Sequence, residues 1–208
     1  MKLLPFGEGA LFVELEQRIA PEIAARAAAI ADSWEGRGAG TAISAYASVV
    51  LRFDPLLLEA GEAERLARAA IADADAVTKS ATPRDVRIPT TYDGPDLTEV
   101  AELSSLSVDE VVAIHAAGRY RAYFLGFMPG WAYLGPLDPR LHAPRRPVPR
   151  ARVPAGSVAV IDGQTGIYPY DSPGGWRLIG HTDVKLFDAA ADRPSLINPG
   201  DTVRFVPT

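Results

Sequence analysis

The chain reads as an α+β protein: a small mixed unit of strands and Ala-rich helices, followed by an all-β barrel or sandwich led in by two short helices. Three observations predict this. Ala-rich stretches of helical length lie before Gly118, whereas after Tyr120 short apolar runs alternate with Gly/Pro turns. Twelve of the 18 prolines and ten of the 18 glycines fall between Gly126 and Thr208. Charge divides at the same place, with 10 Lys+Arg against 19 Asp+Glu in residues 1–118 and 11 against 7 in residues 119–208.

A length of 208 residues, 48% hydrophobic and 23% charged, suits one large domain or two small ones. The first is expected over residues 1–88, a small α/β sandwich, and the second over 89–208. In the first, Ala10–Leu15 predicts a strand, and Pro21 opens a helix over Glu22–Trp34, where a first-turn proline is tolerated. Gly36, Gly38 and Gly40 end it. Thr41–Phe53, rich in β-branched and aromatic residues, predicts one long strand, Glu59–Lys79 a second helix, and Asp85–Pro89 a last strand, so that two helices pack on one face of a compact sheet. The GRGAG segment can cradle a phosphate, but it follows a helix and lacks the dinucleotide-binding spacing, which favours a flexible turn.

Asp96–Gly118 predicts two short helices joined by a turn, with Asp96/Glu99 and Ser107/Glu110 as capping boxes. A helix-turn-helix DNA reader has the same outline. The second helix, Val108–Ala117, carries two acids and no Arg or Lys, which speaks for a structural pair. Beyond it, Ser157–Ile161, Arg177–Ile179 and Thr202–Val206 predict short strands.

Composition excludes several functions. Without cysteine there is no disulfide, thiolate metal site, iron–sulfur cluster or cysteine nucleophile. No run approaches the roughly 18 apolar residues of a membrane span, and Met1–Val13 lacks the pattern of a signal peptide, so a cytoplasmic location and no membrane partner are expected. The weak positive balance of the second half suits a small anionic molecule and is too small to argue for nucleic acid. With only Lys2, Lys79 and Lys185 as lysines, the positive charge is mostly guanidinium, which favours planar contacts with carboxylate or phosphate.

Three segments of the second half carry chemistry. Tyr123–Gly135 packs five aromatics and three glycines into 13 residues, either as a pocket wall or as a core at a barrel corner. Pro139–Pro154 holds five arginines, five prolines and no acid, so Arg140, Arg145 and Arg150 ride a stiff loop that either binds an anion or pairs with acids elsewhere. In Gln164–Gly180, the turn Gly174, Gly175, Trp176 can expose backbone N–H groups as an anion nest, with Gln164, Tyr168 and Ser172 as hydrogen-bonding partners of a polar ligand. The setting of Ser172 is not a nucleophile elbow. Among the histidines, His115 lies in a helix and reads as structural. His142 and His181 are the candidates for proton transfer. No pair of histidines has metal-ligand spacing, and neither HExxH nor a P-loop is present, so no metal site is expected.

The run FLGFMPGWAYLGPLDPRLHAPRRPVPRARVPAGSVAVIDGQTGIYPYDSPGGWRLIGHT, with LLPFGEGALFVELEQRI before it and LINPGDTVRF after it, resembles the family of the 5-oxoprolinase B subunit, also called allophanate hydrolase subunit 1 or the sporulation-kinase inhibitor family. The resemblance covers essentially the whole chain. It implies a cyclophilin-like β-barrel for the second domain. It also implies a component, inactive alone, of an ATP-dependent amidohydrolase that opens 5-oxoproline to L-glutamate together with the 5-oxoprolinase A subunit and a carboxyltransferase-like C subunit. ATP would then be bound with or by a partner, since this chain shows no nucleotide motif. The substrate carboxylate would suit Arg140, Arg145 and Arg150, and its amide Gln164, Tyr168 and the turn at Gly174–Trp176. The same family includes a regulatory reading, inhibition of a sensor histidine kinase, and an allophanate or urea branch.

Overall fold

Four antiparallel strands and two helices make the first of two units, Met1–Thr82; Pro83–Thr208 form the second. The computed structural model describes residues 1–76 and 84–208.

In the first unit β1 (Lys2–Pro5) and β2 (Ala10–Glu14) precede α1 (Pro21–Gly36), then β3 (Ala42–Ser44), β4 (Ser48–Arg52) and α2 (Ala60–Ala76), and the sheet order is β1-β2-β4-β3. Alternation along β2 and β4 turns Leu11, Val13, Val49 and Leu51 inward, onto Ile23, Ala27, Ile30 and Trp34 of α1 and Ala63, Ala67 and Ala70 of α2. Alanine dominates the facing helix stripes, so the two helices approach closely. The long strand expected over Thr41–Phe53 is instead a hairpin: Ala45 N–H bonds the Ser48 carbonyl at 2.9 Å and Ala42 pairs with Leu51. Folding back satisfies the backbone groups of both halves, which one strand of that length would leave beyond the edge of a narrow sheet. β1 has no clear strand signal in the sequence, and the end of the helix expected through Lys79 lies outside the described residues.

The second unit runs β5 (Asp85–Thr90), α3 (Leu97–Ser104), α4 (Val108–Ala117), β6 (Tyr120–Leu125), β7 (Ala132–Gly135), β8 (Arg150–Val153), β9 (Ser157–Ile161), β10 (Gln164–Ile167), β11 (Ser172–Gly174), β12 (Arg177–His181) and β13 (Thr202–Pro207). Seven of these strands form one sheet in the order β12-β9-β10-β7-β6-β13-β5, and a bridge between Thr91 and His181 joins its two edges into a nearly closed barrel. The architecture is thus the expected α+β class with a β-barrel. β5, read from sequence as the last strand of the first unit, pairs in parallel with β13 from Asp85↔Thr202 to Thr90↔Pro207. A short strand carries no mark of which sheet will take it; here the unpaired edge of β13 did.

The sheet has two apolar faces. Ile88, Leu134, Val158, Val160, Ile167, Ile179, Val203 and Phe205 converge on the barrel interior with Leu97, Val100 and Val111 of the helices. Alternate residues face the other way, and Ala159, Tyr168 and Leu178 join Trp131, Trp176 and Val153 in a second cluster that the β8/β11 ribbon helps to cover. Ser107 and Glu110 form the expected capping box, with Glu110 N–H on Ser107 Oγ at 3.2 Å and Ser107 N–H on Glu110 Oε2 at 2.7 Å. Asp96 does not cap α3. Its carboxylate has stronger partners.

Candidate functional site

Asp96 is 2% exposed and takes four hydrogen bonds from three residues. Arg150 binds it through two nitrogens, Nη1 to Oδ2 at 2.8 Å and Nη2 to Oδ1 at 2.7 Å; Arg146 Nη1 donates to Oδ1 at 2.9 Å and the Leu178 N–H to Oδ2 at 2.7 Å. Burial pushes the carboxyl up, but Arg150, the Leu178 N–H and Arg146 outweigh it and hold Asp96 below the usual carboxylate range. Beside it Arg177 pairs with Glu99 and gives its Nε–H to the Pro144 carbonyl at 3.1 Å. This knot fastens the Arg/Pro loop and β12 to the start of α3.

The loop's other arginines divide sharply. Arg140 is held by Asp138, Nε at 3.0 Å and Nη2 at 2.7 Å, and Arg152 by Asp171 through Nε at 2.8 Å. Of the five, only Arg145 has no carboxylate partner among the described residues, and it is exposed. The structure therefore commits Arg140 and Arg150 to acids of the same unit and leaves Arg145 uncommitted. Its side chain lies over Gly175, where an added Cβ would be 3.1 Å from Nε.

Beneath Arg145 is the outer aromatic cluster. Trp131 meets Tyr168 edge-on with ring centroids 4.6 Å apart and Trp176 at 5.1 Å; Tyr133 lies 6.0 Å from Trp131 and stacks on Phe124 at 4.3 Å. Burial raises the Tyr133 and Tyr168 hydroxyls; the Arg145 charge opposes the rise at Tyr133, and the Trp176 N–H and then Arg145 oppose it at Tyr168, without cancelling it at either. The Tyr168 hydroxyl fills the space where Gly174 lacks a Cβ, a position no other residue could occupy without displacing the ring. It also takes the Trp176 N–H. The turn at Gly174–Trp176 thus does not offer that N–H to a ligand as an open nest would, because an internal hydroxyl reaches it first. Two donors in this region have no partner among the described residues: Trp131 Nε1, on a side chain 2% exposed, and the buried Oγ of Ser172.

Of the residues singled out in the sequence, Arg145, Tyr168, Gly174, Gly175 and Trp176 come together on this face, and Ser172 opens the same ribbon strand opposite Val153 of the cluster. Gln164 opens β10 and Tyr168 follows its last residue, four positions on and roughly 13 Å along an extended chain. Nothing in the sequence marks Asp96 as the anchor of the arginines, because the same Asp also fits a helix start.

The histidines occupy three separate environments. His142 is exposed, its Nδ1 3.4 Å from Asp162, while its backbone N–H bonds Ser104 Oγ at 2.9 Å. His181 lies on the barrel seam with Nδ1 2.7 Å from Asp93 Oδ1, and it lines a pocket of about 420 Å³ with Pro89, Thr91, Thr182, Asp183, Val184 and Thr208. His115 is fully buried, between the Tyr92 hydroxyl at 2.7 Å from Nδ1 and Thr165 Oγ1 at 2.9 Å from Nε2. Since Thr165 donates to the Ala159 carbonyl at 2.9 Å, Thr165 accepts from Nε2–H and Tyr92 donates to Nδ1. The ring is neutral, its pKa lowered by burial to about 3.

Among the described residues no three His, Cys, Asp or Glu side chains gather to hold a metal ion. The aromatic face does not fit ATP either: one uncommitted guanidinium does not match a triphosphate, and the face has no glycine-rich strand-to-helix turn to cradle one.

A small α+β unit followed by a nearly closed barrel led in by two helices places the chain among two-unit α+β proteins. Residues 1–197 match the family of the carboxyltransferase domain, subdomain C and D, and the chain belongs to that family. It is similar to the 5-oxoprolinase B subunit of Escherichia coli O157:H7, 54% identical over 127 residues that cover 60% of this chain and 58% of that protein. It is also similar to the 5-oxoprolinase B subunit of Bacillus subtilis, 48% identical over 59% of this chain and 52% of that protein. The matched part thus spans little more than half the length of these relatives. Among solved structures, TTHA0988 superposes with a TM-score of 0.84 at 39% identity, over 96% of this chain and 40% of that one. The Kluyveromyces lactis urea carboxylase shares the fold at a TM-score of 0.77 and 19% identity, over 99% of this chain and 21% of that one. No described helix is long and apolar enough to cross a membrane.

Proposed function

We propose that the chain is one component of a 5-oxoprolinase assembly that opens the lactam of 5-oxoproline to L-glutamate at the expense of ATP, and that it is inactive alone. The observation that carries this reading is the 54% identity to a 5-oxoprolinase B subunit. The site supports it: an uncommitted guanidinium above an aromatic floor is suited to a small anionic substrate, whereas ATP has no matching cradle on that face and falls to a partner. In this reading the 5-oxoprolinase A and C subunits are the partners, and the assembly works in the cytoplasm.

Ring opening adds water to the lactam carbonyl, breaks the C–N bond and delivers a proton to the leaving nitrogen. The candidates of this chain to move that proton are His181, oriented by Asp93, and His142 beside Asp162; neither is among the residues gathered on the aromatic face, so a proton from either reaches the ring nitrogen through intervening water. Arg145 and Ser172 are the substrate-facing groups, and Tyr168 with the turn at Gly174–Trp176, tied to each other, forms the floor beneath them. Gln164 stands at the far end of β10, and Arg150 and Arg140, tied to Asp96 and Asp138, shape the loop that carries Arg145.

The test is co-expression with the A and C subunits, purification of the assembly, and measurement of ATP-dependent glutamate formation from 5-oxoproline with each component omitted in turn. Activity lost on omitting this chain supports the reading. An intact assembly that leaves 5-oxoproline untouched but consumes urea or allophanate moves the chain to the urea branch, and failure to assemble favours a kinase-binding regulator.

A further inference from the structure

We propose that Arg145 and the aromatic face beneath it form a receptor for a small monocarboxylate that carries a lactam, with Arg145 selecting the carboxylate and Trp131 and Ser172 supplying hydrogen bonds to the ring amide. This inference rests on the 5-oxoprolinase reading and names which atoms of this chain meet the substrate.

Arg145 is preorganised for the task. Pro144 and Pro147 flank it closely, the Arg146 N–H is tied to the Gly175 carbonyl at 2.9 Å, and Arg146 itself is fixed on Asp96. The backbone on both sides is therefore held, and the missing Cβ of Gly175 leaves room for the guanidinium stem. Its four neighbours in the loop pair with Asp138, Asp96 and Asp171, Arg146 and Arg150 sharing Asp96, so Arg145 is the one guanidinium of this segment without a carboxylate among the described residues. A single guanidinium matches one carboxylate through paired N–H bonds.

The floor supplies an independent observation. Trp131 Nε1–H is buried with no acceptor, which costs free energy unless a ligand completes it. Ser172 Oγ, also buried and unpartnered, can donate to a carbonyl or accept from a lactam N–H. Trp131 is covered edge-on by Phe127, 63% exposed and held at a φ of 68°, a left-handed conformation that an aromatic residue rarely adopts. An apolar ring with one carbonyl and one N–H, joined to one carboxylate, carries a chemically matching partner for each of the three groups. A phosphate would leave the aromatic floor unused.

The experiment titrates the purified full chain, followed by tryptophan fluorescence, with L-5-oxoproline, 2-pyrrolidinone, acetate and inorganic phosphate. L-5-oxoproline is expected to saturate the signal. Pyrrolidinone, which lacks the carboxylate, binds roughly 10- to 100-fold more weakly, the worth of a charge-assisted hydrogen bond. Arg145→Gln removes that difference, whereas Arg152→Gln, whose guanidinium pairs with Asp171, keeps it. Equal binding of the two lactams, unchanged selectivity in Arg145→Gln, tighter binding of phosphate, or no saturable response to 5-oxoproline overturns the proposal. Glutamate formation by the complete assembly is read separately: an active assembly whose chain shows no Arg145-dependent selectivity sinks this inference alone, and Arg145-dependent binding in an inactive assembly sinks the enzymatic reading alone.

Discussion

Thr91 and His181 exchange two backbone hydrogen bonds, Thr91 N–H to His181 carbonyl at 2.9 Å and His181 N–H to Thr91 carbonyl at 2.8 Å, and so join the two edges of the seven-stranded sheet. The seam places the His181–Asp93 pair beside the pocket and gives β12 a partner on both sides.

Closure depends on Gly180. A Cβ there would collide with the Thr91 carbonyl oxygen, which is backbone and cannot yield alone. Gly180→Ala is expected to destabilise the barrel unit by about 1–3 kcal/mol, lowering its Tm by roughly 2–4 °C per kcal/mol. Gly61→Ala, with nothing near the added methyl, should leave that transition in place. Calorimetry of both variants decides it; an unshifted transition in Gly180→Ala would mean the seam carries no stability.

Asp96 is the hub of the arginine knot, and removing its charge strands Arg150 and leaves Arg146 with Glu99 alone, 3.6 Å away. Asp96→Asn is expected to cost about 3–5 kcal/mol, as breaking buried ion pairs does, read as a lower urea midpoint. Because the folded carboxyl sits below its ordinary value, its stabilisation is present above the unfolded value and is lost as pH falls through the folded one. Arg150→Gln, which leaves Arg146 on Asp96, should give a smaller loss, and an equal loss from both variants would contradict the shared-hub geometry.

His115 makes the barrel acid-sensitive. The unfolded chain takes up the proton near 6.5 and the folded ring only near 3, so between these values the unfolded state binds more protons. Stability should therefore fall as pH drops from 6.5, by up to about 1.4 kcal/mol per pH unit from this group. Urea midpoints measured from pH 7 to pH 4 should slope less steeply in His115→Gln than in the parent chain. Parallel slopes would show that the ring does not stay neutral on folding.

If His181 moves the proton of ring opening, His181→Asn in the full assembly should lower kcat by about a hundredfold, the low end for general acid–base catalysis, with KM nearly unchanged. Asp93→Asn, which disturbs only the orientation of the ring, should give a smaller loss. A kcat that survives both substitutions would assign the pair to the surface alone.

The elements that sequence placed well are those whose cues are local. Pro21 and the alanine spacing marked α1, Ser107 and Glu110 sealed the start of α4, and the apolar run Ser157–Ile161 stood between turn residues. Thr41–Phe53 misled because β-branched composition reports strand preference and not where a strand turns back. The gathering of Arg145, Tyr168 and Gly174–Trp176 was legible as unusual residue choices close together in the chain. The knot on Asp96 was not, since its members lie 50 to 82 positions apart and a guanidinium does not reveal its acid.

By itself, then, the sequence determined the α+β class, the order of most elements, the absence of cysteine chemistry and the segments rich enough in Arg, Gly and aromatic residues to build a site. Tertiary structure alone decided that β5 belongs to the barrel, that Thr91 and His181 close it, that Asp96 binds Arg146 and Arg150, and that Arg145 is left over. The reason is physical: propensity, capping and turn chemistry act between near neighbours, whereas strand partnership and charge pairing are settled by which groups the packed barrel brings within hydrogen-bonding distance.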